Sequence, residues 1–295
     1  MKTILSILLT IPSLFFSQKY FFLDSLKTQF KVSEYTLETQ DLYSIKKDIN
    51  LYNVFVSKNT ILLITVLPDL DEKVLPKMDQ KGVNWHIIDF DTIKDKIFSK
   101  SKVNELASDW AETNTPEKKT LEYQLIKKEN GSYYVSKMCL TELFNIRNLT
   151  FPLISGYGTI NIADQKVTIK EMEASFKHQF PNKEFIMDIT SNSKLKQIDE
   201  PYSFRNYLSK EYTIKGKKAY QFWTFDGWWM QDGYNEHRGI DRFLYIQDKG
   251  IVGGSYDFYF GLKPKISSND YFTIPTSTLW NNIINEKIMM AKELK

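Results

Sequence analysis

The chain has 295 residues, 42% hydrophobic and 15% aromatic, which is enough apolar material for one large core or two smaller ones without covalent staples. Its 39 basic residues nearly balance 36 acids, giving a formal charge of +3, and only Arg147, Arg205, Arg238 and Arg242 are arginines, so the clustered phosphate-neutralising charge that nucleic-acid binding requires is missing. The single cysteine, Cys139, excludes an intramolecular disulfide, and its position in the apolar stretch 135–143 predicts a buried free thiol.

Residues 1–17, MKTILSILLTIPSLFFS, begin with Lys2, continue as an apolar run from Ile4 to Phe16 and contain no acid. That is the pattern of a secretory signal peptide, with the small Ser17 placing the cut before Gln18. Pro12 and the shortness of the run argue against a membrane-spanning helix. No cysteine follows the run, so an N-terminal lipid anchor is not expected, and the longest later apolar run, 61–67, is too short to span a bilayer. The expected product is an exported soluble protein, periplasmic or secreted.

In the first third, Asp41 is placed to cap a helix with Leu42, Ile45 and Ile49 on one face, and residues 51–56 and 60–67 read as two strands joined by a tight turn. After a polar stretch over 68–82, residues 83–90 form another strand candidate. Asp91 then reads as the N-cap of a helix carrying Ile93, Ile97, Val103, Leu106, Ala107 and Trp110. The sequence ETNTPEKK at 112–119 is the most linker-like, and it separates a mixed α/β subdomain (18–115) from a β-rich subdomain (116–295).

Beyond it, strand signals recur at short spacing. Residues 121–127 and 133–140 flank Asn130 and Gly131, which tolerate the positive φ of a primed hairpin turn. Residues 159–162 and 167–169 flank Asp164 and Gln165, 211–214 and 219–225 flank 215–218, and 243–247 and 255–262 flank a glycine-rich turn. A closing helix is expected after Pro275, with Trp280, Ile284, Ile288 and Ala291 as its apolar stripe. The predicted class is α+β, with an antiparallel meander and flanking helices in the C-terminal half; a β-sandwich decorated with helices is the alternative.

Catalytic and cofactor motifs are largely missing. Gly156 and Gly158 lack the third glycine of a dinucleotide loop, no Walker A or G-x-S-x-G pattern occurs, and the S-x-x-K matches at Ser44, Ser99, Ser191 and Ser193 are expected by chance in a lysine-rich chain. His86, His178 and His237 contain no i, i+4 pair for zinc, and the EF-hand pattern is absent, so neither a metal nor a cofactor is expected. A carboxylate site assembled from distant loops would leave no such signature.

Residues 227–239, GWWMQDGYNEHRG, depart from their surroundings. They join two strand candidates with far more chain than the two to five residues a hairpin typically uses. Trp228, Trp229 and Tyr234 offer flat apolar faces for a sugar ring or peptide side chain, while Asp232, Glu236, His237 and Arg238 offer oriented hydrogen bonds. These seven are the expected ligand-binding residues of a binding or structural accessory protein that recognises a glycan or peptide. The alternative is an exported hydrolase using Glu236, His237 and a nearby aspartate, such as Asp226 or Asp241, for proton transfer. The sequence leaves the catalytic residues, if any, and the oligomeric state open.

Overall fold

The computed structural model describes residues 18–68, 84–112, 119–150, 158–182, 205–225, 239–261 and 274–295. The expected signal peptide (1–17), residues 113–118 of the linker-like stretch and residues 227–238 of the aromatic segment 227–239 lie outside these residues. In chain order the first elements are β1 (Lys19–Phe22), α1 (Leu23–Gln29), β2 (Lys31–Glu38), α2 (Gln40–Tyr43), β3 (Asp48–Ser57), β4 (Thr60–Leu67), β5 (Trp85–Ile87), α3 (Lys100–Glu112), β6 (Lys119–Thr120), β7 (Tyr123–Glu129), β8 (Ser132–Ser136) and β9 (Met138–Arg147). They are followed by β10 (Thr159–Asn161), α4 (Ile169–Gln179), β11 (Arg205–Ile214), β12 (Lys217–Phe225), β13 (Arg242–Ile246), β14 (Gly250–Ser255), α5 (Asp257–Gly261), α6 (Thr276–Ile284) and β15 (Met289–Met290).

The fold is α+β, and among the described residues it is built on three sheets: a small one ordered β1-β7-β8-β5, a central one ordered β10-β9-β4-β3-β2 with β6 beside β9, and an antiparallel one ordered β11-β12-β13-β14-β15. The largely apolar run of β4, interrupted only by Thr65, is explained by burial on both faces, the expected pattern for a strand with no solvent side. Ile61, Leu63 and Leu67 join a core shared with the third sheet, whereas Leu62, Ile64 and Val66 pack with Phe21, Leu125, Val103 and Ala107 on the opposite side. Among the described residues, no helix is long and apolar enough to cross a membrane.

The central and third sheets face each other as a sandwich and are tied at both edges. At one edge Leu37 of β2 forms a bridge with Ala291, just past β15. At the other, Asn206 of β11 donates to the carbonyl of Thr159 in β10 at 3.1 Å. Between them the Asn53 amide acts as a surrogate strand, donating to the Ile251 carbonyl (2.9 Å) and accepting from the Ile251 N–H (2.7 Å). The outer face of the third sheet is covered by α4 and α6, with Trp223 donating to the Val167 carbonyl and Gln221 to that of Glu286.

Two of the tight hairpins form as the turn chemistry predicts: Asn130 and Gly131 have φ of 50° and 79°, and Lys215 and Gly216 have 49° and 77°. Several other expectations are corrected. The helix expected from Asp41 is a single turn, ended by Ser44 in the left-handed region (φ 57°), so that Ile49 lies in β3. Ile93 and Ile97 precede α3 in a segment of 3-10 turns, where Asp89 rather than Asp91 supplies the cap, and Ile93 packs on Tyr20 and Ile126 of the small sheet. Strand 83–90 contracts to β5.

No hairpin forms at Asp164 and Gln165: β10 pairs parallel with β9, and Thr168 and Glu171 form a capping box that opens α4. The glycine-rich turn expected before residue 255 is instead strand β14, and residues 257–261 are helical. Its glycines mark close approaches, since a Cβ at Gly250 would lie 2.4 Å from Asn53 Oδ1 and one at Gly253 2.6 Å from the Met289 carbonyl. The closing helix stops at Ile284; Ile288 and Ala291 belong to the extended chain around β15.

Candidate functional site

Trp228, Trp229, Asp232, Tyr234, Glu236, His237 and Arg238 lie outside the described residues, but both stems of their segment are described. The outgoing stem is the end of β12, where Phe225 is fully buried and paired with Arg205. The returning stem is Gly239 to Asp241. The Thr224 N–H donates to the Asp241 carbonyl (2.8 Å), and the Asp241 N–H donates to that of Ser255 (2.9 Å), so the returning chain is held between β12 and β14.

Glu142 of β9 completes this clamp. It stands in register with Leu63 of β4 on one side and Lys119 of β6 on the other. Its carboxylate accepts from the Ile240 N–H through both oxygens (3.1 and 3.2 Å). Gly239 has φ +78°, and a Cβ there would lie 2.0 Å from Glu142 Oε1 and 3.2 Å from Lys119 Cδ, so the carboxylate and the lysine stem press directly on this glycine. Glu142 is only 5% exposed. Burial pushes its carboxyl up to about 7, against the opposing pull of the Lys119 charge and the Ile240 N–H.

A buried polar network continues from this point. The Tyr256 hydroxyl is 2.9 Å from Thr65 Oγ1, and its phenol is raised well above its ordinary value by burial first and then by the Glu142 charge. Arg242, fully buried, pairs through Nη1 with Asp257 and donates from Nε to the Lys287 carbonyl (2.9 Å). Burial works against the Arg242 charge, but the Asp257 carboxylate more than offsets it and raises the guanidinium above its usual range. The Tyr43 hydroxyl donates to Asp257 (3.1 Å) and accepts from the Tyr256 N–H (2.6 Å).

Chemically, a carboxyl moved toward neutrality is what acid–base catalysis uses. Here both oxygens engage a backbone N–H and the side chain is sealed from solvent, which makes Glu142 a holder of the stem. Asp241, one of the aspartates considered for proton transfer, is itself buried and forms part of that stem. Cys139 is buried and free, as its sequence context predicts, with its thiol pushed up to about 12 by burial and therefore not nucleophilic. Sequence reasoning missed Glu142 and the Arg242–Asp257 pair. The signal for Glu142 was a lone acid inside the apolar run MCLTELFNIR. Comparison with protein-family models, curated proteins and solved structures gives no match, so any functional reading rests on the residues of this chain.

Proposed function

We propose that the protein is an exported binding or structural accessory protein that recognises a glycan or peptide through residues 227–239. One observation carries the reading: both stems of this aromatic and polar segment are anchored in a buried framework, by the β12 pairing at Phe225 and by Glu142 at Gly239 and Ile240. A binding segment on fixed stems loses less conformational freedom when a ligand docks. Export rests on the signal-like sequence of residues 1–17, and intact-mass analysis of the exported chain is expected to give Gln18 as the first residue.

The test is a glycan and peptide binding screen on the wild type, Trp228→Ala, Trp229→Ala and Glu236→Gln, with thermal melts alongside. Loss of an aromatic contact should weaken binding by about 1 to 3 kcal/mol while the melting temperature stays near wild type. Glu236→Gln should leave binding largely intact. Turnover of a bound substrate by the wild type, lost in Glu236→Gln, would favour the hydrolase reading, and large drops in melting temperature for both tryptophan variants would make the segment structural.

A further inference from the structure

We infer that Gln18 is a modification site: once export makes it the first residue, its side chain closes on its own α-amine to give an N-terminal pyroglutamate that seals the start of β1. The inference rests on the export reading, because a cut after Ser17 is what frees that amine. It goes beyond that reading in naming the chemistry of the new end and what the end protects.

The end matters because so little chain separates it from the core. β1 starts at Lys19, the very next residue, and pairs in parallel with β7 from Lys19 beside Tyr123 to Phe22 beside Ile126. On its other side the Phe98 N–H donates to the Tyr20 carbonyl (2.9 Å). Tyr20 packs with Ile93, Ile126 and Val135 on one face of the small sheet. On the other face Phe21, fully buried, stacks on Phe98 with ring centroids 4.8 Å apart. An exopeptidase that removed Gln18 and Lys19 would next take the residues that fill both faces of this sheet.

Gln18 itself carries both reactants. Its Nε2 donates to the Glu122 carbonyl, which sets the side-chain amide beside the chain entering β7. The ring atoms, from the α-nitrogen through Cα, Cβ and Cγ to Cδ, all belong to this residue, so closure leaves the pairing from Lys19 onward in place. An ordinary α-amine is partly unprotonated near neutral pH, and attack within one residue has the advantage of enforced proximity. The α-nitrogen bonds to Cδ, the Cδ–Nε2 bond breaks, and the proton lost by the α-nitrogen leaves with Nε2 as ammonia. No oxidant, reductant or second substrate takes part. The product is a neutral lactam without the free amine that an aminopeptidase binds.

The experiment is mass spectrometry of the exported product of the full-length chain, intact and after cleavage before Asp24, for wild type and Gln18→Ala. The wild-type peptide of residues 18–23 should be lighter than QKYFFL by one ammonia and blocked to stepwise degradation, whereas Gln18→Ala should start at residue 18 with a free amine. Under a broad-specificity aminopeptidase the folded wild type should keep residue 18 and Gln18→Ala should lose it. A wild-type chain that starts at Gln18 with a free amine would overturn the inference and leave export standing. A product that retains Met1, or starts at any other residue, would overturn the cut and the inference together. Residue 18 lost at equal rates from the two proteins, zero included, would overturn the sealing of β1.

Discussion

Replacing Asn53 with alanine tests the joint between the central and third sheets. The Asn53 amide is fully buried and satisfies both the N–H and the carbonyl of Ile251, at 2.7 and 2.9 Å. Both groups lie in a strand, β14, whose residues are all buried, so neither gains a water when the amide is removed. Orphaning a buried polar group costs about 1 to 3 kcal/mol, so the pair should cost about 2 to 6 kcal/mol. That is a large share of the roughly 5 to 15 kcal/mol typical of a folded domain. Urea unfolding followed by circular dichroism should show a lower midpoint with an unchanged slope. Asn53→Asp sharpens the test, because it keeps an acceptor for the Ile251 N–H and sets a second oxygen against the Ile251 carbonyl. The new carboxyl should have a raised folded-state value, so the variant should be more stable at acid pH and lose that stability as pH rises. A loss under about 1 kcal/mol for Asn53→Ala, or a pH-independent Asn53→Asp, would refute the surrogate-strand account.

Other consequences follow from the same framework. Glu142 should remove up to about 3 kcal/mol of global stability as pH rises from its unfolded value near 4.5 to above its folded value of about 7, and Glu142→Gln should abolish that part of the slope in pH-dependent unfolding. Gly239→Ala, with φ +78° and no room for a Cβ, should destabilise by about 2 kcal/mol or more, measured by the same denaturation. Cys139 should resist thiol reagents at pH 8 except through unfolding, because burial pushes its thiol up to about 12.

What the sequence made legible was local chemistry. Asn130–Gly131 announced its hairpin because positive φ favours these residue types, and the apolar run of β4 announced a buried strand. Thr168 and Glu171 also carried a readable helix start, but the β-branched Val167 to Ile169 read as a strand, and the capping box that opens α4 went unseen. What escaped depends on which surfaces meet. The glycines of β14 resemble a turn until Asn53 and Met289 are seen pressing on them, and Ile93 and Ile97 match a helical stripe although Ile93 serves the small sheet. Glu142 stood out only as an anomaly in an apolar strand, since its partner Ile240 is distant in sequence.

The central claim, that ligand contact is concentrated on residues 227–239 above a clamped stem, is tested most directly by oxidative footprinting of the tryptophans with and without the best binder from the screen. The account predicts protection of Trp228 and Trp229, with no change at Trp85, which is half-buried on the small sheet. Protection of Trp85 with Trp228 and Trp229 unaffected would contradict it and move the binding surface to the small sheet.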